Sequence, residues 1–243
     1  MVADMPADAT GSPGLLVVPG ADRARFDWGV EGLRSLVGPG ELAIVMDVFV
    51  FSTTVCMAVE RGAVAVPVAR RVDDPGGATP DGVFPTALLS VNAGTEILLP
   101  SRNGATCTTL AADAGATVLA GSLRNASAVG QYAAASGLPV SVIAAGERWP
   151  DGTLRAAFED LVGAGAVLSV FDAGDLSPEA RAAVGAFEAV RDDLRALLFA
   201  CTSGRLMSDR GHARDVELAA QLDATGVVPV FDGRRFAAVR DGA

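Results

Sequence analysis

Lysine is absent from this 243-residue chain, whose formal net charge is −10. Nucleic-acid-binding surfaces neutralise phosphates with clustered lysine and arginine, so this composition argues against a nucleic-acid partner. The lack of lysine also excludes Schiff-base and pyridoxal-linked chemistry. An acidic protein that handles a small anionic substrate needs local positive charge from a divalent metal, arginines or backbone N–H groups.

Histidine and cysteine are scarce as well. The only histidine, His212, has no cysteine near it and no Gly-x-Ser-x-Gly segment occurs, so a Ser/His/Asp hydrolase is poorly supported and we expect His212 at the surface. The cysteines Cys56, Cys107 and Cys201 lie far apart without a Cys-x-x-Cys pair. This spacing indicates neither a zinc knuckle nor a disulfide framework, and we expect buried, small apolar side chains.

Long hydrophobic runs are missing although half of the residues are hydrophobic. No run approaches the ~20 residues of a membrane-spanning helix, and the N-terminus lacks the basic start and apolar stretch of a secretory signal. We therefore expect a soluble cytoplasmic protein with a disordered lead-in over residues 1–14 and one α/β domain over 15–243. Dinucleotide and nucleoside-triphosphate motifs are also absent. The sequence is compatible with a homo-oligomer.

The sequence does contain short apolar runs that alternate with Ala-rich segments of helical period. The runs are rich in Val and Ile and predict buried strands over residues 42–48, 64–68, 96–99, 117–120 and 140–144. The segments between them predict helices over about 52–61, 105–114 and 125–136. This alternation implies right-handed crossovers and a mainly parallel sheet with helices on both faces, a three-layer α/β/α fold.

The second half of the chain predicts consecutive helices, over residues 154–168, 177–190, 192–200 and 212–222, before a hairpin at 227–230 and 235–239. Ser177-Pro178-Glu179 is a strong helix start, because proline fits the first helical turn. Residues 70–84 carry turn residues and little apolar periodicity, so we expect a loop there.

Polar residues follow several predicted strands, and ligands of open parallel sheets bind beyond the carboxyl ends of the strands. Asp47 stands in an otherwise apolar strand, and Ser52, Thr53 and Thr54 follow at the start of a helix. A carboxylate beside hydroxyls at a helix N-terminus is a plausible site for magnesium and phosphate together. The alternative is that Asp47 binds backbone amides as a structural cap, which would offset its burial cost.

Three further strand ends carry polar residues: Asn103-Gly104, Ser122 with Asn125, and Glu147-Arg148. An ordinary turn explains Asn103-Gly104 equally well on its own. N-capping alone accounts for Asn125 as well as a ligand role does. Polar residues at several strand ends together indicate a binding site more strongly than those at any one strand end.

Two later segments add candidate residues. Glu159 and Asp160 are adjacent on a predicted helix, so their side chains point about 100° apart and only one easily faces a site. Gly163 and Gly165 follow and allow close helix packing. The segment SGRLMSDRGHARDVELAAQLD contributes the candidates Ser203, Arg205 and Asp215, whereas solvated charges are the default interpretation of Glu217 and Asp223.

Five segments in this order resemble the 2-phosphosulfolactate phosphatase family: MDVFVFSTTV, PSRNGA, GSLRNASAV, AAGERWPDGTLRAAFEDLVGAGAV and SGRLMSDRGHARDVELAAQLD. The resemblance spans about residues 26–230. It implies an α/β/α fold and magnesium-dependent hydrolysis of a phosphomonoester, with release of sulfolactate. Two departures concern the substrate: Val50 stands where the family strand has arginine, and Ala78 follows Gly76-Gly77 where the family has glutamate.

The resemblance and the strand-end pattern together give a set of predicted site residues. Catalytic roles are predicted for Asp47, Glu159 and Asp215, and Mg²⁺ ligation for Asp47, Glu159 and Asp160. Substrate contacts are predicted for Ser52, Thr53, Thr54, Asn103, Gly104, Ser122, Asn125, Glu147, Arg148, Ser203 and Arg205.

The leading hypothesis is magnesium-assisted hydrolysis of a small anionic phosphomonoester, with Asp47 as ligand or nucleophile. Haloacid-dehalogenase-type phosphatases are disfavoured, because they need a second aspartate two residues on, where this chain has Phe49. Val50 and Ala78 motivate a different substrate or, as the alternative, an inactive paralogue that binds a small anionic ligand. A protein-interaction module fits convergent polar groups at strand ends poorly.

Overall fold

The computed structural model describes residues 22–69 and 82–239. Eight strands in these ranges form one sheet. Its strands are β1 (Ala24–Trp28), β2 (Leu42–Met46), β3 (Val64–Ala69), β4 (Glu96–Ser101), β5 (Thr117–Gly121), β6 (Val140–Ala144), β9 (Pro229–Phe231) and β10 (Phe236–Ala238). Two short strands, β7 (Glu147–Arg148) and β8 (Leu154–Arg155), form a separate hairpin. The predicted lead-in and residues 70–81 of the predicted loop lie outside the described residues.

Helices connect these strands and follow them in the second half. They are α1 (Gly29–Leu36), α2 (Phe51–Glu60), α3 (Gly104–Asp113), α4 (Ala126–Ala135), α5 (Phe158–Leu168), α6 (Pro178–Val190), α7 (Leu194–Ala200), α8 (Thr202–Asp209) and α9 (Ala213–Ala219). Short 3₁₀ turns cover Pro85–Ser90, Leu123–Asn125 and Arg191–Asp193. No helix in the described ranges combines the length and the apolar character needed to cross a membrane.

The sheet is mainly parallel, as predicted, and its strand order is β1-β6-β2-β5-β9-β10-β3-β4. The first four strands in this order run parallel to one another, and β3 pairs in parallel with β4. The antiparallel strands β9 and β10 join the two blocks, so that β3 and β4 run opposite to the other parallel strands. The hairpin at the chain's end is therefore part of the sheet.

Both faces of the sheet are buried around β2, which explains why this strand is apolar throughout. In β2, Leu42, Ile44 and Met46 pack into one core with α4, α5 and α6, while Ala43 and Val45 pack into the other with α1, α2 and α3. Alternate residues of a strand point to opposite faces, so a strand covered by helices on both faces needs an unbroken apolar run. The predicted three-layer α/β/α fold is confirmed.

All five predicted strands are present, but three predictions about elements were incomplete or wrong. Strand β1 and helix α1 were missed, since β1 is a short edge strand whose sequence contains Arg25 and Asp27. Helix α8 was also missed. The helix predicted from residue 154 begins at Phe158, because the two residues at 154–155 pair with β7 instead.

Two glycines bring α5 close to its neighbours. A Cβ at Gly165 would overlap the Ala183 carbonyl group of α6, and one at Gly163 would lie 2.7 Å from Met46 Cε of β2. The close helix packing expected from these two glycines is therefore confirmed, and it places the first turn of α5 beside the end of β2.

Candidate active site

Asp47 directly follows β2 and is 6% exposed. Its Oδ2 atom accepts a hydrogen bond from the Gly104 N–H at 2.8 Å and one from the Ser101 hydroxyl at 3.2 Å. These contacts join the end of β2 to the end of β4 and the start of α3, although β2 and β4 lie far apart in the sheet order. The convergence predicted for these two strand ends is present.

Burial and the nearby charge of Glu147 raise the pKa of Asp47 to about 7, although the N–H groups of Gly104 and Phe51 and the hydroxyl of Ser101 lower it. The pKa of Glu147 is also raised, first by burial and then by the charge of Glu159. Both directions have one physical cause: several carboxylates share a desolvated region without enough positive charge. Such a region favours a bound cation.

A cavity of about 180 Å³ lies directly beside Asp47. Its polar lining comes from Asp47, Thr54, Ser101, Asn103 and Glu147. The remaining lining is mostly apolar and consists of Phe49, Val50, Phe51, Gly82, Val83, Phe84, Leu99 and Pro100. Among the described residues, no arginine lines this cavity, so an anion that enters it meets carboxylates without a compensating side-chain cation.

Asp160 connects the segment that follows β2 to the segment that follows β6. Its Oδ1 accepts from the Val48 N–H at 2.7 Å and its Oδ2 from the Gly146 N–H at 2.9 Å. Burial, with the charges of Asp47 and Glu159, raises the pKa of Asp160 well above its ordinary value. Both carboxylate oxygens of Asp160 thus accept hydrogen bonds from backbone N–H groups. The predicted role of Asp160 as a metal ligand stays a prediction.

Glu159 is buried at the start of α5, next to Asp160. Its Oε2 lies 3.7 Å from Cys201 Sγ, and its charge raises the pKa of Glu147. Glu159 therefore belongs to the same acidic region but does not line the cavity beside Asp47. Its catalytic and metal-binding roles remain predictions.

The three hydroxyl residues after Asp47 have different surroundings. Ser52 Oγ accepts from the Asp47 N–H at 2.8 Å and donates to the Val45 carbonyl, so it closes the turn. Thr53 donates to the Val48 carbonyl at 2.9 Å. Thr54 lines the cavity, and its hydroxyl lies 2.9 Å from Val50 O. Only Thr54 of the three is placed to meet a ligand there.

Ser122 and Asn125 form a reciprocal cap at the end of β5. Asn125 Oδ1 accepts from both the backbone N–H and the hydroxyl of Ser122 at 2.8 Å, and its side-chain amide donates to Ala120 and Val227 carbonyls. Both side chains are fully buried and neither lines the cavity beside Asp47. These contacts close the 3₁₀ turn at Leu123–Asn125, whereas the Asn125 side chain makes no hydrogen bond to the first turn of α4, so the expected N-cap of that helix is not formed.

Asn103 and Arg148 meet at the other side of the site. Arg148 donates from Nε to Asn103 Oδ1 at 3.2 Å and from Nη1 to the Gly152 carbonyl at 2.9 Å. Asn103 and Glu147 line both the cavity beside Asp47 and a second, larger one. The structure thus brings Asn103, Gly104, Glu147 and Arg148 together with Asp47.

Asp215 lies outside the cavity but supports one of its walls. Its Oδ1 accepts from the Thr86 N–H at 2.7 Å, and its Oδ2 lies 3.1 Å from His212 Nδ1. The His212 ring stacks on Phe84, with centroids 3.7 Å apart, and Phe84 lines the cavity. His212, expected at the surface, is only partly exposed. The predicted catalytic role of Asp215 stays a prediction.

Ser203 and Arg205 of α8 are placed away from Asp47. Ser203 Oγ accepts from Arg155 at 2.9 Å, whereas the Arg205 guanidinium donates to the Ala200 carbonyl. Arg205 lines a separate surface cavity beside Phe158. The structure does not bring these two residues to the cavity beside Asp47.

Magnesium binding can be assessed from the side chains present. Within residues 22–69 and 82–239, no three His, Cys, Asp or Glu side chains are grouped to hold a metal ion. Magnesium, however, is commonly held by only one or two carboxylates, with waters and substrate phosphate completing its octahedron. Asp47 and Glu147, which line one cavity and both have raised pKa values, fit that mode.

Sequence reasoning missed two contributors to the site. Ser101 bonds the Asp47 carboxylate, and its only sequence signal is a hydroxyl two residues before an Asn-Gly turn. Phe84 comes from a segment interpreted as a loop, and nothing in its local sequence indicates that it lines a cavity. Both depend on chain segments that meet only in the folded protein.

Replacing Gly104 with alanine is expected to destabilise the protein by about 1–3 kcal/mol, since a Cβ there would overlap the Phe51 ring and lie 2.7 Å from Asp47 Oδ2. The free energy of unfolding in urea tests this. Gly185 lies inside α6, and a Cβ added there would have no atom within 4 Å, so Gly185→Ala should instead be neutral or stabilising. Equal effects of the two changes would contradict the role of Gly104.

Comparison with known proteins identifies a family for this chain. The sequence model of the 2-phosphosulpholactate phosphatase family matches residues 82–234, more than half of the chain. No curated protein gives a significant match. The matched range includes Asn103, Gly104, Glu147, Glu159 and Asp160 and begins after Asp47. Asp47 is linked to it through its hydrogen bonds with Gly104 and Ser101.

Proposed function

The chain belongs to the 2-phosphosulpholactate phosphatase family, and we propose that it hydrolyses a small anionic phosphomonoester with the help of magnesium. The observation that carries this proposal is the pair Asp47 and Glu147, two carboxylates with raised pKa values in one cavity. Two ionised carboxylates repel a phosphate, so in this proposal a cation lies between them and the substrate. The bound magnesium would supply the charge that offsets the phosphoryl oxygens.

The residues around the pair have separate tasks in this proposal. The Gly104 N–H and the Ser101 hydroxyl hold the Asp47 carboxylate in one orientation. Asp160 fixes the backbone on both sides, at Val48 and Gly146, and so sets the distance between Asp47 and Glu147. The apolar wall formed by Phe49, Phe51 and Phe84 is suited to limiting the entry of water.

The second candidate is an inactive paralogue that binds a small anion. Val50, at the position where the family strand has arginine, lines the cavity, and this observation favours a changed ligand. The same observation makes anion binding dependent on a cation, because no described lining residue is positively charged. The two candidates therefore share metal-dependent binding and differ only in turnover.

A phosphomonoester panel tests the proposal. Purified protein with Mg²⁺ should release inorganic phosphate from at least one member, and EDTA should remove this activity. Metal-dependent binding of a phosphomonoester without release, measured by calorimetry, would support the inactive paralogue. Neither release nor metal-dependent binding over a broad panel would contradict both candidates.

A further inference from the structure

A second cavity, of about 620 Å³, adjoins the one beside Asp47 and shares Asn103 and Glu147 with it. Three arginines line it: Arg102 before α3, Arg148 in β7 and Arg210 at the end of α8. The two cavities thus form neighbouring ends of one cleft. Carboxylates dominate the end at Asp47, and guanidinium groups dominate the other.

The three arginines have no ion pair with an acidic residue in the described part of the chain. Arginines elsewhere do, for example Arg25 with Glu41 at 2.8 Å and Arg124 with Glu60 at 3.0 Å. Arg148 is oriented by neutral oxygens of Asn103 and Gly152. In a protein of net charge −10, three guanidinium groups around one cavity provide local affinity for an anionic group.

Two acids, Glu147 and Asp151, also line this cavity, and neither forms an ion pair with the three arginines. Glu147 lies at the end that the two cavities share. The Asp151 carboxylate accepts from the backbone N–H of Thr153 at 2.9 Å and from its hydroxyl at 2.6 Å, within the turn between β7 and β8. The three arginines thus exceed the two acids in charge, and their guanidinium groups are not held in ion pairs within the described residues.

An aromatic side chain stands at the same place. Trp149 lines the cavity, is 54% exposed and follows Arg148 directly. Its backbone is fixed in the β7–β8 hairpin, where its N–H donates to the Thr153 carbonyl at 2.9 Å. An exposed indole and guanidinium groups both stack on aromatic rings, so together they are suited to binding a ligand that has a planar ring.

We propose that this arginine-lined cavity binds the alcohol part of the substrate, and that this part carries an aromatic ring and an acidic group. The inference rests on the proposed function for the position of the phosphoryl group, at Asp47 and Glu147. The cavity volume lies within the range of pockets that enclose ligands of drug size, and a three-carbon acid would leave most of it to water.

Binding without turnover tests this subsite independently of catalysis. The chain has two tryptophans, so in a Trp28→Phe background the fluorescence reports on Trp149 alone. The dissociation constant of 4-hydroxybenzoate, measured by this fluorescence, should be at least about tenfold lower than that of 4-hydroxybenzyl alcohol or lactate. Of the three probes, only 4-hydroxybenzoate has both an aromatic ring and a negative charge. Equal affinity for the three probes would overturn the proposal.

Arginine variants give the second arm. Arg102→Gln with Arg210→Gln should weaken 4-hydroxybenzoate binding by about tenfold or more, while Arg34→Gln with Arg61→Gln, an exposed pair of equal charge, should leave it unchanged. The circular dichroism spectrum should match the parent in both. An unchanged dissociation constant in the folded Arg102/Arg210 variant would overturn the subsite.

Kinetics separate this proposal from the proposed function. The parent should show a lower KM for 4-carboxyphenyl phosphate than for phenyl phosphate, and Arg102→Gln with Arg210→Gln should reduce this preference about tenfold. Hydrolysis of both esters without preference would contradict the subsite alone. Release of phosphate from no member of the phosphomonoester panel, with 4-hydroxybenzoate binding intact, would contradict the phosphatase function alone.

Discussion

Asp47→Asn is expected to lower kcat/KM for phosphate release by roughly 10³-fold or more and, in the same protein, to increase stability at neutral pH. The activity falls because the amide cannot supply the negative charge that the proposed cation or phosphoryl transfer requires. Stability rises because the amide removes a buried negative charge. Burial and the charge of Glu147 both disfavour that charge, and they raise the pKa of Asp47 to about 7.

The sign of the pH dependence follows from linkage. The folded protein holds the proton of Asp47 up to about pH 7, whereas the unfolded chain loses it near the ordinary aspartate pKa of 3.8. Between these values the unfolded state binds fewer protons, so the free energy of unfolding falls as pH rises from about 4 to 7. Asp47→Asn should flatten this fall and gain about 1–3 kcal/mol at pH 8.

Urea unfolding at a series of pH values, with phosphate release under the same conditions, measures both effects. Asp113→Asn makes the same exchange at an exposed position at the end of α3 and should change neither. Added Mg²⁺ should stabilise the parent at pH 8 and not Asp47→Asn. A variant that retains activity would contradict the assignment of Asp47 to the reaction centre.

Asp160→Ala is expected to give the largest loss of stability, about 2–5 kcal/mol at pH 5. The change leaves the buried N–H groups of Val48 and Gly146 without their acceptor, and each orphaned donor costs roughly 1–3 kcal/mol. The pKa of Asp160 is raised in the folded protein, so the parent becomes less stable as the pH rises above the ordinary aspartate pKa. Asp160→Ala lacks this titration, and the stability difference between parent and variant should therefore shrink as pH rises.

Activity should fall together with stability in this variant, by roughly 10–100-fold, because Gly146 positions Glu147 and Val48 follows Asp47. Unfolding at pH 5 and pH 8 and steady-state kinetics provide the measurement, with Asp113→Ala as the exposed control. Equal destabilisation at both pH values would contradict the linkage. Loss of stability without any loss of activity would show that Asp160 does not set the position of Glu147.

The fold was accessible from sequence because its signals are local. A strand covered on both faces must be apolar along its whole length, and β2, with all five residues buried, is the clearest example. Strand β1 lacked that signal because it lies at the edge of the sheet, and its polar residues Arg25 and Asp27 interrupt the pattern. The predicted single domain over residues 15–243 stays a prediction.

For the site, the sequence alone selected Asp47 as a carboxylate in an apolar strand, and it supplied Asn103, Gly104, Glu147 and Arg148 as polar strand ends. It could not decide which of these side chains share a cavity, because that depends on segments far apart in the chain. Only the tertiary structure brings Asp47 within hydrogen-bond distance of Gly104 and engages both Asp160 oxygens with backbone N–H groups. A carboxylate that faces a cavity and one that holds two strand ends have the same local sequence signal, and their long-range partners distinguish them.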